Sequence, residues 1–210
     1  MTAHDENLLT EQQLDIFREA LHCGAADASE ALGRWIGKPT SISIDSVEQL
    51  PLAEATGVLE VGDEPICFCV AEMQGRLTGQ LVLAFDDSSG LALADLLLDL
   101  PRGTATAWGE METSAALETT NILGCHYLGS LARALPAGDD LTSQLLPSPP
   151  RFSRDFAQSM IAFILMDQIT AADNVLLTRV QFRIDGDPVD WTMLLVPDAA
   201  SMATLRELLK

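Results

Sequence analysis

The chain has 210 residues, 48% of them hydrophobic, and carries 31 acidic against 12 Lys and Arg residues for a formal net charge of −19. A sizeable core is within reach, no run approaches the ~18 uncharged apolar residues of a membrane span, and the missing basic footprint argues against nucleic acids and anionic membranes as partners. An acidic surface keeps a chain in solution and favours a partner with basic groups, and adaptation to high salt gives the same composition.

The first residues, MTAHDENLLTEQQ, are polar and acidic and lack the basic and apolar regions of a signal peptide, so a cytoplasmic protein is expected. A helix is predicted from Glu11 to Ile36, with a break near Gly24. Thr10 and Gln13 have the spacing of a capping box, and Gly37-Lys38-Pro39 ends the helix. SISIDSVEQLPL then begins with period-2 alternation at Ile42 and Ile44. Strands are predicted from Ile66 to Met73 and, after Gln74-Gly75, from Gly79 to Phe85. FDDSSG stops the second, and Leu91 to Leu100 reads as a helix.

The order then recurs. A long helix is predicted from Glu110 to Leu135, followed by the connector AGDDLTSQLLPSPP, where Pro147, Pro149 and Pro150 rule out a regular central strand. Arg154 to Asp173 reads as a helix or mixed segment. Strands follow at Val175 to Ile184 and Trp191 to Val196 around IDGDP, and Ala200 to Leu209 closes the chain as a helix.

Much of the reactive chemistry in the chain reads as structural. Cys67 and Cys69, in ICFCV, point to one face of a strand and lack the spacing of a zinc ribbon or redox pair, so packed, reduced thiols are expected. His22-Cys23 and Cys125-His126 are adjacent residues that diverge on a helix, so no metal site is expected. There is no P-loop, no H-E-x-x-H and no G-x-S-x-G. Asp86-Asp87 and Asp139-Asp140 read as solvated turn carboxylates, the methionines as core filling, and Trp35, Trp108 and Trp191 form no base-stacking pattern.

One constellation stands out. On a helical wheel, Leu117, Gly124, Leu128, Leu131 and Leu135 define the expected buried line of the second long helix. Asn121, Ser114 and Glu118 lie about 40°, 60° and 100° from it, a polar flank with i, i+4, i+7 spacing. Asp15, Glu19 and His22 repeat that spacing in the first long helix. LVLAFDDSSGLALADLLL and TMLLVPDAASMATLRELL also match in pattern: strand, acidic stop, small residues, Leu-rich helix. The expected fold is therefore α+β, a pseudo-two-fold duplicated unit with an antiparallel sheet and long helices packed outside. The whole chain, 1–210, is expected to form a single domain of two similar halves, about 10–100 and 108–210.

The pattern S-x-x-x-E-x-x-N at Ser114, Glu118 and Asn121, followed by I-L-G and later PSPP, resembles the signature of the CheC/CheX/FliY chemotaxis phosphatases. SISIDSVEQLPL, GQLVLAFDDSSGLALADLLL and EMETSAALETTNILG are similar to segments of the CheC branch, and the resemblance runs from about residue 8 to the C-terminus. It implies hydrolysis of the aspartyl phosphate of a CheY-type response regulator. Asn121 would orient the attacking water, Glu118 would pair with a partner lysine, and Ser114 would have a helping role. The resemblance further implies that this chain binds no cofactor or metal itself, the Mg²⁺ being held by the phosphorylated response regulator, and that a CheD-type protein is a possible second partner. Pro147 and Pro149 both stand as candidates for the family's downstream proline. The first half departs from the pattern, because His22 follows Glu19 where the active motif has Asn, and is expected to be degenerate. A non-catalytic scaffold of the kind formed by the FliM middle domain, or a CheD-binding regulator, is the competing expectation. The chain shows no added switch domain of the FliY type, which weighs against a place in the flagellar motor.

Overall fold

The computed structural model describes residues 8–55, 57–59, 64–136, 144–166, 174–184, 186 and 189–209. Asp139-Asp140 and parts of the IDGDP turn and of the 154–173 segment lie outside them. The Thr10 hydroxyl accepts from the Gln13 amide at 3.3 Å, and the Gln13 side chain accepts from the Thr10 amide at 2.9 Å. From this box helix α1 runs unbroken over Glu11–Ile36 and stops at Gly37, whose φ of 72° is the left-handed cap. The break expected at Gly24 is absent. A Cβ there would meet Tyr127 Cα at 3.0 Å, so this glycine marks a close approach between helices.

The first half continues with β1 (Thr40–Pro51), α2 (Leu52–Ala55), β2 (Ile66–Gly75), β3 (Gly79–Phe85) and α3 (Asp87–Leu97). The second comprises α4 (Glu110–Ala134), β4 (Leu145–Pro147), β5 (Arg151–Asp155), α5 (Ala157–Ile164), β6 (Asn174–Ile184), β7 (Asp190–Pro197) and α6 (Ala199–Leu208). Arg154 is thus in a short strand, and the following helix begins only at Ala157. Helix α3 begins four residues before the predicted Leu91, because the Asp86 carboxylate caps it by accepting from the Ser89 amide at 2.7 Å.

The sheet is antiparallel in the order β1-β6-β7-β3-β2, with β4 and β5 both paired to β2. A pseudo-two-fold axis between β3 and β7 exchanges the halves: β1 of the first sits beside β6, and β5 of the second sits beside β2. Side chains obey the same symmetry. Asp198 caps α6 through the Ser201 amide at 2.8 Å, as Asp86 caps α3. Each of these serines then crosses to the other half's side of the axis. Ser201 Oγ accepts from the Thr78 amide at 2.6 Å, and Ser89 Oγ from the Asp190 amide at 2.8 Å.

Both sheet faces are buried, which is why the central strands are apolar without strict alternation. Helices α1 and α4 cover one face, over Phe17, Leu21, Cys67, Cys69, Leu83, Tyr127, Phe182 and Trp191. Helices α2 and α5 cover the other, over Phe68, Val82, Ile161, Leu177 and Leu194. The methionines divide: Met73 and Met193 fill the core, whereas Met111 and Met166 are exposed, against the expectation that all would be packed.

Candidate functional site

Helix α4 buries Gly124, Leu128 and Leu131 of the line its leucines mark, with Leu135 just past its end, but its buried face is wider and extends to one side of that line. Ala116, Thr119, Thr120, Leu123, Tyr127, Ser130 and Leu131 are buried, while Leu117 is only partly so. The centre of the buried face is turned by roughly 70° from the leucine line at 100° per residue. The cause is double packing, against the sheet and against α1. Small and self-satisfied residues take the contacts: the hydroxyls of Thr119 and Thr120 donate to the carbonyls of Ala115 and Ala116, each at 2.9 Å. The rotation carries Ser114, Glu118 and Asn121 further from the core than expected. Ser114 and Glu118 are exposed and Asn121 is half-buried.

Among the described residues, nothing hydrogen-bonds or ion-pairs with Glu118. Among the described residues, the Cys125 thiol is the one group hydrogen-bonded to the Asn121 amide, donating to Oδ1 at 3.9 Å. Burial and the Glu118 charge both raise the Cys125 pKa, so the sulfur stays a protonated donor. Asn121 is one turn from Gly124, where a Cβ would meet Pro147 at 3.1 Å. Pro147 ends β4 on the sheet edge, so it packs against the helix at Gly124, one turn from Asn121.

The first trio lies on α1, with Asp15, Glu19 and His22 all exposed. Asp15 is engaged: its Oδ1 accepts from Arg18 at 2.8 Å, and Arg18 also lies 3.8 Å from Glu11. Asp15 and Glu19 border a largely apolar groove of about 530 Å³ between α1 and α4, closed opposite by Ser130 and Arg133.

A residue read as a solvated turn carboxylate is instead a hub. Asp87 Oδ1 accepts from Trp108 Nε1 at 2.9 Å and from Cys67 Sγ at 3.1 Å, and Oδ2 accepts from Arg154 at 2.6 Å. Burial alone would raise the Asp87 carboxyl, but the bonds from Trp108 and Cys67 with the Arg154 charge hold it below the usual carboxylate range. Asp86 is equally committed, as the α3 cap. All four cysteines are unpaired thiols, Cys23 and Cys125 exposed, Cys67 and Cys69 buried. Burial pushes Cys69 up to about 12 and raises Cys67 further, with the Asp87 contact adding to it. Among the described residues no three His, Cys, Asp or Glu converge as metal ligands, and no described helix is long and apolar enough to cross a membrane.

No protein-family model matches the chain. It is 26% identical to the CheY-P phosphatase CheC of Bacillus subtilis over 204 residues, covering 95% of this chain and 94% of that protein. In structure it is similar to FliY of Thermotoga maritima, at a TM-score of 0.71 and 18% identity over 95% of this chain and 98% of the other. The FliM middle domain of H. pylori matches at 0.67 and 14% identity over 95% and 99% of the two chains. A chain of the CheX–CheY–BeF3–Mg²⁺ complex of Borrelia burgdorferi matches at 0.53 and 15% identity over 89% and 97%.

Proposed function

We propose that this chain, a member of the CheC/CheX/FliY family by sequence and fold, accelerates hydrolysis of the aspartyl phosphate of a CheY-type response regulator, with the second-half site working and the first degenerate. The observation that carries the reading is the flank of α4: Glu118, exposed, and Asn121, half-buried, stand three residues apart with their polar atoms uncommitted to any strong partner among the described residues. Support for the partner comes from a relative named as a CheY-P phosphatase and a fold neighbour that is a complex with CheY.

In the proposed reaction a water oxygen bonds to phosphorus as the bond to the aspartyl oxygen breaks, the carboxylate leaves with the electron pair, and the water's protons go to the released inorganic phosphate and to solvent. The Asn121 amide is too weak a base to take the water's proton. With a donor and an acceptor it can hold the water in line, so its contribution is orientation. Glu118 would repel a phosphoryl group if aimed at it, and becomes useful when neutralised by a lysine of the partner. Ser114 assists one turn earlier. The metal in this account is Mg²⁺ held by the response regulator, and the chain itself supplies none.

The experiment is loss of phosphoryl label from a Mg²⁺-bound, phosphorylated CheY with wild type and Asn121→Ala. Acceleration by the wild type, lost in a variant that still binds, supports the reading. No acceleration with the cognate regulator overturns it. The second reading, a binding scaffold, draws on the FliM neighbours, two of which are complexes with SpeE and FliG, and on the altered first trio. A scaffold of that kind, or a CheD-binding regulator, would keep its partner after Asn121→Ala and show no rate to lose.

A further inference from the structure

We propose that Asp87 is a positioning residue for the Glu118–Asn121 flank, acting through Trp108. The inference rests on the phosphatase reading for its functional half and on geometry alone for its structural half. The N-cap of helix α4 is Gly109, a residue with no side chain to cap it. The cap comes from within the helix, as Glu112 Oε2 accepts the Gly109 amide at 3.1 Å. What fixes the helix start against the rest of the fold is the preceding residue, Trp108. Its indole N–H is held by Asp87 at 2.9 Å. Its ring centroid sits 4.8 Å from Phe152 and 5.8 Å from Phe85. The ring lies so close over Gly90 that a Cβ there would come within 2.6 Å of it. Phe85 in turn stacks on the core residue Trp191 at 3.7 Å.

Asp87 is placed to hold Trp108 in one orientation. It stands at the first position of α3, and its other partners come from two different strands, Cys67 of β2 and Arg154 of β5. With three donors on two oxygens, the carboxylate has little freedom to swing. Loss of the indole bond would free the α4 start to shift, with Ser114 and Glu118 within about its first three turns and Asn121 at the start of the next. A displacement of about 1 Å at a water-orienting group costs on the order of 100-fold in rate. Much less is expected here, because the aromatic contacts remain when only the hydrogen bond is removed.

The test uses Trp108→Phe, which keeps a ring and removes the N–H, and Asp87→Asn, which keeps an acceptor and removes the charge. With phosphorylated CheY, Trp108→Phe is expected to lower kcat about five-fold with KM unchanged, and combining it with Asp87→Ala should lose little more, since the two act in series. Amide hydrogen exchange in 110–118 should quicken in Trp108→Phe while α1 stays protected. The inference is overturned if exchange in 110–118 is unchanged, or if kcat is unchanged while only thermal stability falls. Should the wild type accelerate no hydrolysis, the phosphatase reading fails by itself, and the exchange measurement still decides whether Asp87 and Trp108 anchor the helix. Asp87→Asn should retain part of the anchoring; a loss of protection equal to that of Asp87→Ala contradicts an acceptor role.

Discussion

The two trios occupy equivalent places on two equivalent helices and differ in how their groups are committed. On α1, Asp15 is already bound by Arg18, and the third position is an exposed imidazole. On α4, the first position is the neutral Ser114, Glu118 has no described partner, and the third is an amide whose one hydrogen bond among the described residues comes from a thiol at 3.9 Å. The helix starts differ as well. By the pseudo-two-fold, Leu9 is the counterpart of Trp108, and it is clamped through its backbone: its N–H donates to Gln49 Oε1 at 2.6 Å and its carbonyl accepts from Gln49 Nε2 at 3.0 Å. One duplicated frame thus supports two trios that differ at two positions: the first residue is an arginine-bound Asp15 on α1 and a neutral Ser114 on α4, and the third is an imidazole on α1 and an amide on α4. Chemistry on a second protein favours uncommitted groups, because a side chain satisfied internally must first break that contact.

The comparison breaks most visibly at the amide. Asn121→Asp is nearly isosteric but removes the donor and adds a negative charge facing a phosphoryl group, so the rate of CheY-P hydrolysis should fall by at least about 100-fold. A smaller but structural break lies where the two helices touch. Gly24→Ala places a methyl 3.0 Å from the Tyr127 backbone and 3.3 Å from Ser130, and urea unfolding should show a loss of about 1–3 kcal/mol. Unchanged stability would mean that the helices have room to separate.

The helix starts are distinguished by Gln49→Ala. Removing the clamp on Leu9 should cost about 1 kcal/mol and leave the proposed acceleration of CheY-P hydrolysis unchanged, unlike Trp108→Phe. Acid titration isolates the Asp87 hub. Its folded pKa lies below the unfolded value, so the stability it contributes is fully present above the unfolded pKa of about 4 and is lost as pH falls through the folded one. The stability–pH curve of Asp87→Asn should therefore be flatter below about pH 4 than that of wild type, and identical acid limbs would contradict the assignment. The smallest effect concerns thiols. Without denaturant, iodoacetamide should modify Cys23 and Cys125 first, leaving the buried Cys67 and Cys69 unmodified.

Local signals carried most of the fold. Thr10, Gln13 and Gly37 bound α1 through contacts that span only a few residues, and the matching Asp-x-x-Ser stops of α3 and α6 are visible as text. What was illegible depends on distant contacts. Gly24 has the same letter whether it breaks a helix or admits a neighbour. The buried Thr119, Thr120 and Ser130 look like surface residues, so the buried face reads narrower than it is and its centre is shifted toward the leucines. Strand β5 is short, charged and at an edge, which leaves no alternation to read. Asp87 finds Cys67, Trp108 and Arg154 at separations of 20, 21 and 67 residues, with no spacing rule to join them. The α4 trio was readable because its three residues share one helix. That it faces away from the core follows only from how α4 packs.

The most direct measurement places Asn121→Ala and His22→Ala side by side in the decay of Mg²⁺-bound, phosphorylated CheY. Asn121→Ala should abolish the acceleration, and His22→Ala should leave it near the wild-type rate. Loss of activity in His22→Ala with Asn121→Ala still active would contradict a second-half site, and would move the working site to the first half.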